Sequence, residues 1–370
     1  MSKVLDLAVA LMAIDTCNPP GNEKQAADFI AAMLDTAGFT VQRQEFAPGR
    51  TNLIALKRSS RMAPVLAFTG HLDTVPLGTA EWGRPPFGGK ISGGKLYGRG
   101  SSDMKAGVAA FVIAAIDMAA LDRDTALVIT AGEERGCEGA LAMARDGIAL
   151  PEVAGWIVAE PTANKVALGH KGALFSYLHF SGKSAHSSRP DLGVNAIYKA
   201  CAAALALRDM QFEMSHPVLG APTVNVGLIE GGHAPNAVPD RAKLHVDVRT
   251  IPGMDHSAIL QQLETIGGDG VRLERVHDIA PVWTPGDASL IKACRSASEA
   301  EGYMTSGELG ASFFTDASVL AKLAPAPVAI LGPGEPGQAH VTDEWCTVAN
   351  IEAAERIYCR LIETHGQANS

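Results

Sequence analysis

Histidine and carboxylate side chains recur in short clusters that follow apolar stretches of the sequence. The first cluster, GHLDTVP, contains His71 and Asp73, which point to the same side of an extended chain because they are two residues apart. A histidine that binds a metal often has its second ring nitrogen held by a carboxylate. His71 is therefore a candidate metal ligand with Asp73 as its orienting partner, and a local turn is the alternative for so short a motif.

The second cluster, LYGRGSSDMKAG, has glycines that allow an unusual backbone path into a helix expected after Asp103. The segment lacks the GxxxxGK spacing of a phosphate loop, so that kind of site is excluded. An aspartate at this place is commonly a helix N-cap, which is the alternative to a metal ligand. The cations Arg99 and Lys105 flank Asp103, and we expect them to keep its carboxylate ionised.

Three further clusters offer the same types of ligand. Glu133 and Glu134 follow one apolar stretch, and in an extended chain one of them can bind a metal while the other faces a substrate. Glu160 follows another stretch, and His340 closes the segment LGPGEPGQAH. Each cluster alone fits a solvated loop. As a set they supply nitrogen and oxygen ligands without cysteine, which suits Zn, Co or Mn in a dinuclear site about 3.5–4 Å across.

The composition limits what the chain can be. Its 370 residues are 47% apolar and 19% charged, so a sizeable core is available and wholesale disorder is excluded. Acidic residues number 40 against 31 basic ones, and the net charge of −9 argues against wrapping nucleic acid or binding an anionic membrane. The 6 cysteines form no CxxC pair, and free thiols predict a cytoplasmic protein. The first residues predict an amphipathic helix rather than a signal peptide.

The elements that must position these clusters alternate between helix and buried strand in the first and last parts of the chain. Apolar periodicity predicts helices at Val4–Ile14, Lys24–Ala37, Met104–Leu121, Ala288–Glu301 and Val348–Glu363. Short apolar or β-branched runs predict strands at Thr40–Glu45, Asn52–Lys57, Pro64–Thr69, Ala126–Thr130, Gly155–Ala159 and Val328–Leu331. This alternation predicts an α/β fold, in which a sheet carries helices on both faces.

The middle of the chain follows a different pattern. Its predicted elements have the β-α-β-β-α-β order of a ferredoxin-like sandwich, at Ala173–Phe180, Val194–Arg208, Thr223–Ile229, Ala242–Arg249, Ser257–Ile266 and Val271–Val276. The segment Pro281–Pro285 is predicted to be a linker. We therefore predict one α/β domain at 1–172 and 282–370, interrupted by an inserted α+β domain at 173–281.

In this order, the motifs resemble those of the metal-dependent M20 peptidase family. The resemblance covers nearly the whole chain and rests on GHLDTVP, LYGRGSSDMKAG, GEE, AEPT, GHKGA, GKSAHSSRPDLGVNAI and LGPGEPGQAH. It implies a zinc-exopeptidase-like catalytic domain with a mixed sheet and an inserted domain that serves as a lid and as a dimerisation domain. It also implies a homodimer with two Zn²⁺ per subunit, or Co²⁺ in their place.

The resemblance assigns roles to single residues around the expected metals. One metal is held by His71 and Glu160, the other by Glu134 and His340, and Asp103 bridges the two. Glu133 is then the general base that takes a proton from a metal-bridging water and later delivers it to the leaving amine. Asp73 orients His71.

On the substrate side, the resemblance implies five further residues: Lys171, His186, Asn236, Arg249 and Gly332. His186 donates a hydrogen bond to the substrate carbonyl, from its own or the partner subunit. Arg249 is suited to a substrate carboxylate, which a guanidinium binds with two parallel hydrogen bonds. An ordinary charge at the end of a strand is the alternative for Arg249.

Within the family, HKG, SAHSSRPDLGVNAI and LGPGEPGQAH are more similar to acetylornithine deacetylases than to succinyl-diaminopimelate desuccinylases. The resemblance thus implies hydrolysis of a small-molecule N-acyl amino acid, N2-acetylornithine, to ornithine and acetate. The chain departs from that branch at Thr315-Asp316-Ala317-Ser318, where the branch has Thr-Glu-Ala-Pro, so the accepted side chain stays open. An aminoacylase, dipeptidase or desuccinylase is the closer alternative, and a catalytically silent binding or scaffold protein the more distant one.

Overall fold

The computed structural model of the protein describes residues 1–366. Its helices over that range are α1 (Lys3–Met12), α2 (Lys24–Thr36), α3 (Lys105–Asp117), α4 (Glu138–Arg145), α5 (Ala196–Arg208), α6 (His256–Gly267), α7 (Ser289–Ala300), α8 (Ala317–Leu323) and α9 (Val348–Thr364). Its strands are β1 (Thr40–Ala47), β2 (Arg50–Lys57), β3 (Val65–His71), β4 (Lys90–Ser92), β5 (Lys95–Tyr97), β6 (Thr125–Thr130), β7 (Val153–Val158), β8 (Ala167–His170), β9 (Gly172–Ser181), β10 (Thr223–Gly231), β11 (Arg241–Thr250), β12 (Arg272–Ile279), β13 (Val282–Trp283), β14 (Leu309–Ala311), β15 (Val328–Ile330) and β16 (Trp345–Thr347).

A mixed sheet organises the first and last parts of the chain, with the order β1-β2-β6-β3-β7-β15-β8-β13 and with β14 paired to β8. Strands β6, β3, β7 and β15 run parallel at its centre. β3 and β6 are buried along their whole length, which is why their sequences are mostly apolar rather than alternating. The carboxyl ends of the four parallel strands lie at the same edge of the sheet.

Helices cover both faces of this sheet. On β7, Ile157 points into the core that contains residues of α1, α3 and α9. Its neighbour Trp156 faces the other way and donates its indole N–H to the carbonyl of Ala324, 3.0 Å away, directly after α8. Helix α3 lies within the core, and its Phe111 ring is 6.0 Å from that of Phe68 on β3. The α/β fold class predicted from the sequence is confirmed.

The middle of the chain forms the antiparallel sheet β10-β11-β9-β12. On β11, the buried residues Leu244, Val246 and Val248 alternate with half-buried ones, and they share a core with α5 and α6. The side chains of Asn195 and Asp255 accept backbone N–H groups at the starts of these two helices, as N-caps do. The order of elements is the predicted β-α-β-β-α-β.

Contacts along the backbone divide the chain into two compact units. The first unit comprises Met1–Gly169, Trp283–Gly310 and Thr315–Ser370, described up to residue 366, and the second comprises His170–Val282 and Ala311–Phe314. The second unit therefore includes four residues from the last part of the chain, which no sequence pattern indicated. Within residues 1–366, no helix combines the length and the apolarity that crossing a membrane would require.

Some local predictions are wrong. The predicted linker Pro281–Pro285 contains strand β13, and helix α3 ends at Asp117 instead of Leu121. The helix stops there because the chain leaves the core, and the Leu121 side chain is exposed. The sequence patterns also did not predict helices α4 and α8 or the short strands β4, β5, β8, β14 and β16. Segments of two to four residues are too short to show a period.

Candidate metal centre

The acidic and histidine residues of the five clusters lie together at the carboxyl edge of the first unit's sheet. His71 is the last residue of β3, Glu133 and Glu134 follow β6, and Glu160 follows β7. His340 lies on the long segment after β15. Ligand sites in α/β sheets form outside the carboxyl ends of the strands, where the connecting loops converge.

Asp103 lies between two groups of candidate ligands. Its Oδ1 is 3.2 Å from His71 Nε2, and that same nitrogen is 3.6 Å from Glu160 Oε1. Its Oδ2 is 3.4 Å from His340 Nε2, which in turn is 3.0 Å from Glu134 Oε2. Within each group of three, the ligand atoms lie within 4.8 Å of one another. The Asp103 carboxylate thus directs one oxygen to each group, as a bridging ligand must.

The backbone of Asp73, rather than its carboxylate, makes the shorter contact with His71. The Nδ1 atom of His71 is 2.9 Å from the Asp73 carbonyl oxygen and 3.5 Å from the Asp73 carboxylate. Because a carbonyl oxygen only accepts hydrogen bonds, Nδ1 carries a proton, and Nε2, which faces the ligand group, is the nitrogen that would bind a metal ion. The predicted role of Asp73 in orienting His71 stays a prediction, with the backbone of Asp73 as the nearer contact and its carboxylate as the longer one.

The Asp73 carboxylate also holds the turn that carries the two glutamates. Its oxygens accept the backbone N–H groups of Gly132, Glu133 and Glu134 at 2.8, 3.1 and 3.3 Å. Residues Glu133–Arg135 form a single 3₁₀ turn, so the two glutamates do not alternate along an extended chain as predicted. The turn still separates them, since Glu134 contacts His340 whereas Glu133 belongs to neither ligand group.

Glu133 has a buried carboxylate with an unused acceptor. Its Oε1 has no hydrogen-bond partner among residues 1–366. Burial raises the pKa of Glu133 well above its usual value; His71 opposes this effect, and the negative charge of Glu160 adds to it. A carboxyl group with a raised pKa, next to a ligand group but outside it, is suited to accepting and returning a proton.

Arg99 and Lys105 do not pair with Asp103, in contrast to the prediction. The Arg99 guanidinium donates to Glu344 Oε2 at 2.7 Å. The buried ammonium of Lys105 donates to two carbonyl groups at the end of α1, at 3.0 and 2.7 Å. The backbone turn before α3 directs the side chains of these two neighbours away from the carboxylate between them.

The two histidines interact with Asp103 in their place. Burial alone would raise the pKa of Asp103, but the hydrogen bonds to His340 and His71 outweigh it and hold the pKa below its usual range. Asp103 is not the N-cap of α3 either, because the helix begins at Lys105 and no side chain of the described residues 1–366 caps it. The alternative reading of Asp103 as a helix cap is therefore excluded.

The chemistry of the donor set fits a pair of divalent cations. Burial, and then the charge of Asp103, raise the pKa values of both Glu134 and Glu160. Carboxylates crowded out of water are costly unless cations offset their charge. Two imidazoles and three carboxylates without cysteine suit Zn, Co or Mn.

His186 belongs to the second unit and is exposed. Its Nδ1 accepts the backbone N–H of Ser188 at 3.2 Å. In the neutral imidazole, the proton is therefore on Nε2, which can donate a hydrogen bond. This tautomer is the one that the predicted contact with a substrate carbonyl needs.

Three other predicted substrate residues, Lys171, Asn236 and Arg249, also lie in the second unit. Arg249 pairs with Asp247, with Nε 3.0 Å from Oδ1. Burial, and then the charge of Arg249, lower the pKa of Lys171. Asn236 is exposed, and its carbonyl accepts a backbone N–H at 3.0 Å. Their contacts with a substrate stay predictions.

Gly332 lies in the first unit, beside the end of β7. Its N–H donates to Thr162 Oγ1 at 3.1 Å, and its carbonyl accepts the N–H of Asn164 at 2.8 Å. A Cβ atom at this position would lie 2.2 Å from the carbonyl oxygen of Ala159. These contacts give Gly332 a packing role next to Glu160, and its contact with a substrate stays a prediction.

Comparison with known protein families supports what the geometry indicates. The sequence profile described as "Peptidase family M20/M25/M40" matches residues 67–364, which is most of the chain. The chain belongs to this family. Membership places it among hydrolases, and the resemblance to M20 proteins seen in the sequence is confirmed.

Similar M20 proteins carry several names. The chain is 32% identical to an acetylornithine deacetylase of Proteus mirabilis, over 96% of this chain and 93% of the relative. It is 30% identical to a probable succinyl-diaminopimelate desuccinylase of Staphylococcus aureus, over 94% and 95% of the two chains. An M20 family metallo-carboxypeptidase of Sulfolobus solfataricus has the same fold, with a TM-score of 0.80, 18% identity and coverage of 98% and 99%.

Two further residues of this M20 chain, Asp316 and Glu344, have positions that no sequence pattern indicated. Asp316 is buried, accepts a hydrogen bond from the Thr130 hydroxyl at the end of β6, and has one oxygen without a partner among residues 1–366. Glu344 is buried and accepts backbone N–H groups of the Asp103 segment. The only sequence signal for Glu344 is an acidic residue next to the His340 cluster, which does not reveal its partners.

Proposed function

We propose that this M20 chain is a di-metal amidohydrolase that removes the acetyl group from the α-amino nitrogen of an N-acyl amino acid, converting N2-acetylornithine to ornithine and acetate. The observation that carries the proposal is Asp103, whose carboxylate directs one oxygen to each of two ligand groups. Glu133 lies beside them and belongs to neither.

His71, Asp103 and Glu160 would hold one divalent ion, and Asp103, Glu134 and His340 the other. Zn²⁺ fits these donors, and Co²⁺ is the alternative. Such ions, when bound, polarise the carbonyl of the substrate and make water a nucleophile at neutral pH.

The chain's own residues then manage protons and position. Glu133 accepts a proton from the attacking water as the water oxygen bonds to the acyl carbon. When the C–N bond breaks, Glu133 returns this proton to the leaving amine, so acetate and a free amino group result. Asp73 keeps Glu133 in place through the backbone of the 132–134 turn. On the family resemblance, His186 of the same or of the partner subunit is proposed to donate from Nε2 to the oxygen of the scissile carbonyl.

Two observations bear on the acyl amino acid that is accepted. The 32% identity to an acetylornithine deacetylase over nearly the full length supports N2-acetylornithine. A second candidate, removal of a succinyl group, is favoured by the 30% identical relative named as a probable desuccinylase. Asp316, which stands where the deacetylase branch has glutamate, keeps this second candidate open.

A substrate panel tests the proposal. The protein, loaded with Zn²⁺ or Co²⁺, is assayed for release of amine and acid from N2-acetylornithine, N-succinyl-diaminopimelate, an acetylated apolar amino acid and a dipeptide. We expect the highest kcat/KM for N2-acetylornithine. A higher value for the succinyl compound selects the second candidate. Absence of hydrolysis with two ions bound would leave only a binding or scaffold role.

We also propose that the second unit mediates a homodimer. β10 is an edge strand of its sheet, and its residues Leu228 and Ile229 are 53% exposed each, while Tyr198 on α5 is 75% exposed. An open edge with apolar side chains is a surface on which a second strand can pair. Sedimentation should give a dimer for the wild type and a monomer for Leu228→Arg. Leu141→Arg, at an exposed leucine on α4, is the control that should stay dimeric.

A further inference from the structure

A buried ion pair lies directly behind the candidate metal centre. Arg99 and Glu344 have side chains that are 2% and 0% exposed, and their Nη1 and Oε2 atoms are 2.7 Å apart. The two residues are 245 positions apart in the chain. Neither belongs to the ligand groups, and the mechanism above uses neither of them.

The Glu344 carboxylate holds the segment that carries Asp103. Its Oε1 accepts the backbone N–H groups of Ser102 and Asp103 at 2.7 and 3.1 Å. Its Oε2 accepts the N–H of Gly100 at 3.0 Å in addition to the bond from Arg99. Four donors fill the four lone-pair sites of one carboxylate. The position of the Asp103 backbone therefore depends on a side chain from the last part of the chain.

The Arg99 guanidinium, which is bound to Glu344, also bonds to the backbone of two other segments. Its Nη1 donates to the carbonyl of Val341 at 3.3 Å, and its Nη2 donates to the carbonyl of Pro76 at 3.2 Å. Val341 follows His340 directly, and Pro76 ends the segment that begins with His71. The planar fork of an arginine can bond several acceptors in fixed directions, which a lysine does less well.

His340 has the greatest need of such support. Its side chain is 54% exposed, whereas those of the other candidate ligands are at most 10% exposed. It lies ten positions after the end of β15, on a segment without regular structure of its own at that point. Packing alone therefore restrains it less than it restrains His71 or Glu160.

We propose that Arg99 and Glu344 are a positioning pair that sets the distance between Asp103 and His340. Through this distance the pair sets the affinity for the second divalent ion, which is the one that Asp103, Glu134 and His340 would hold. This inference rests on the proposed two-metal function. Groups that orient metal ligands typically change metal affinity by about 10–100-fold when they are replaced. The pair touches no reacting atom and acts only through the ligands.

Titration of the metal-free protein with Co²⁺ tests the pair, with calorimetry for affinity and the visible absorption of Co²⁺ for ligand geometry. We expect Glu344→Gln to lower the affinity for the second ion by about 10–100-fold. The affinity for the first ion, at His71, Asp103 and Glu160, should fall less. Arg99→Lys keeps a cation and should lower the affinity for the second ion by a smaller factor. It also decides the question should Glu344→Gln not fold.

Asp124→Asn is the matched control. Asp124 is also a buried carboxylate next to an arginine, and it accepts the backbone N–H groups of Ser59 and Ala63 at 3.1 and 3.0 Å. It lies just before β6, at the opposite edge of the sheet from the ligand groups. This control should lose thermal stability and keep both Co²⁺ affinities.

Three outcomes separate the hypotheses. A wild-type protein that binds fewer than two Co²⁺ ions contradicts the proposed function itself. Two ions in the wild type, with affinities and absorption unchanged in folded Glu344→Gln and Arg99→Lys, overturn the positioning pair alone. If Asp124→Asn loses as much Co²⁺ affinity as the Arg99 and Glu344 variants, then the pair contributes only to the stability of the fold.

Discussion

Glu133 is the residue whose replacement separates catalysis from metal binding. It lies outside both ligand groups, and its buried Oε1 has no partner among the described residues. A general base of this kind contributes about 10²–10⁴-fold to a rate. Proton transfer would therefore depend on one side chain that is not needed to bind the metal ions.

We expect Glu133→Gln to lower kcat on the best substrate by about 10²–10⁴-fold, because an amide cannot accept and return the proton. The amount of Co²⁺ bound per chain should not change. Acetate release and metal content are measured on the same sample, with Glu299→Gln, an exposed position on α7, as the control. Undiminished turnover in a metal-loaded Glu133→Gln protein would remove Glu133 from the mechanism.

Asp316 is a second residue at which size can be tested. The residue is 3% exposed, and its carboxylate contacts the Thr130 hydroxyl. We expect Asp316→Glu, which adds one methylene, to lower the free energy of unfolding by about 1–3 kcal/mol through overpacking. Denaturant unfolding measures it. Asp316→Asn keeps the size of the side chain and should lower the free energy of unfolding less. Equal stability of Asp316→Glu and the wild type would mean that the space around residue 316 accommodates another methylene.

At the scale of elements, the end of β7 is enclosed by close packing from two sides. A Cβ at Gly107 on α3 would lie 2.4 Å from the carbonyl oxygen of Ala159, and a Cβ at Gly332 would lie 2.2 Å from the same atom. Glu160 is the next residue along the chain. The absence of side chains at these two glycines lets a helix and a loop approach the strand end that presents a candidate ligand.

We expect Gly107→Ala to displace the end of β7, since neither the helix backbone nor the carbonyl can yield without moving Glu160. Overpacking of this kind costs about 1–3 kcal/mol of stability, and Co²⁺ affinity should fall with it. Thermal unfolding and Co²⁺ titration measure the two effects. Gly337→Ala is the control, because a Cβ there meets no atom of the described part of the chain within 4 Å. Wild-type affinity in Gly107→Ala would show that the strand end adjusts freely.

For the molecule as a whole, the acid excess has a local component. The formal charge of −9 belongs to the metal-free chain. Two divalent ions would bring it to about −5, and most of the change would fall on the few buried carboxylates of the metal centre. Charge and stability should therefore both depend on the metals.

We expect a chelator to increase the mobility of the protein toward the anode in native electrophoresis and to lower its unfolding temperature. An ion that binds only the folded protein stabilises it by about 2.7 kcal/mol when present at 100 times its dissociation constant. Scanning calorimetry with and without chelator measures the shift, and added Zn²⁺ should reverse it. The variant His71→Ala should respond less. An unfolding temperature that does not change when the chelator is added would contradict metal binding by the native state.

The sequence by itself determined the fold class, the family and the clusters from which the candidate ligands come. Buried parallel strands need continuous apolar runs, so β3, β6 and β7 were visible in the sequence. Ligand-forming loops follow such strands, so His71, Glu133 and Glu160 could be singled out. These inferences succeed because each depends on neighbours within a few residues.

Only the tertiary structure decided which groups hold the ligands in place. The flanking cations Arg99 and Lys105 suggested partners for Asp103, yet they bind Glu344 and the end of α1. Asp73 supports the 132–134 turn, and Glu344 accepts from Ser102 across 242 positions of sequence. A buried backbone N–H must find an acceptor, but any polar group that the fold brings near can supply it. That choice depends on contacts distant in sequence, which local patterns do not encode.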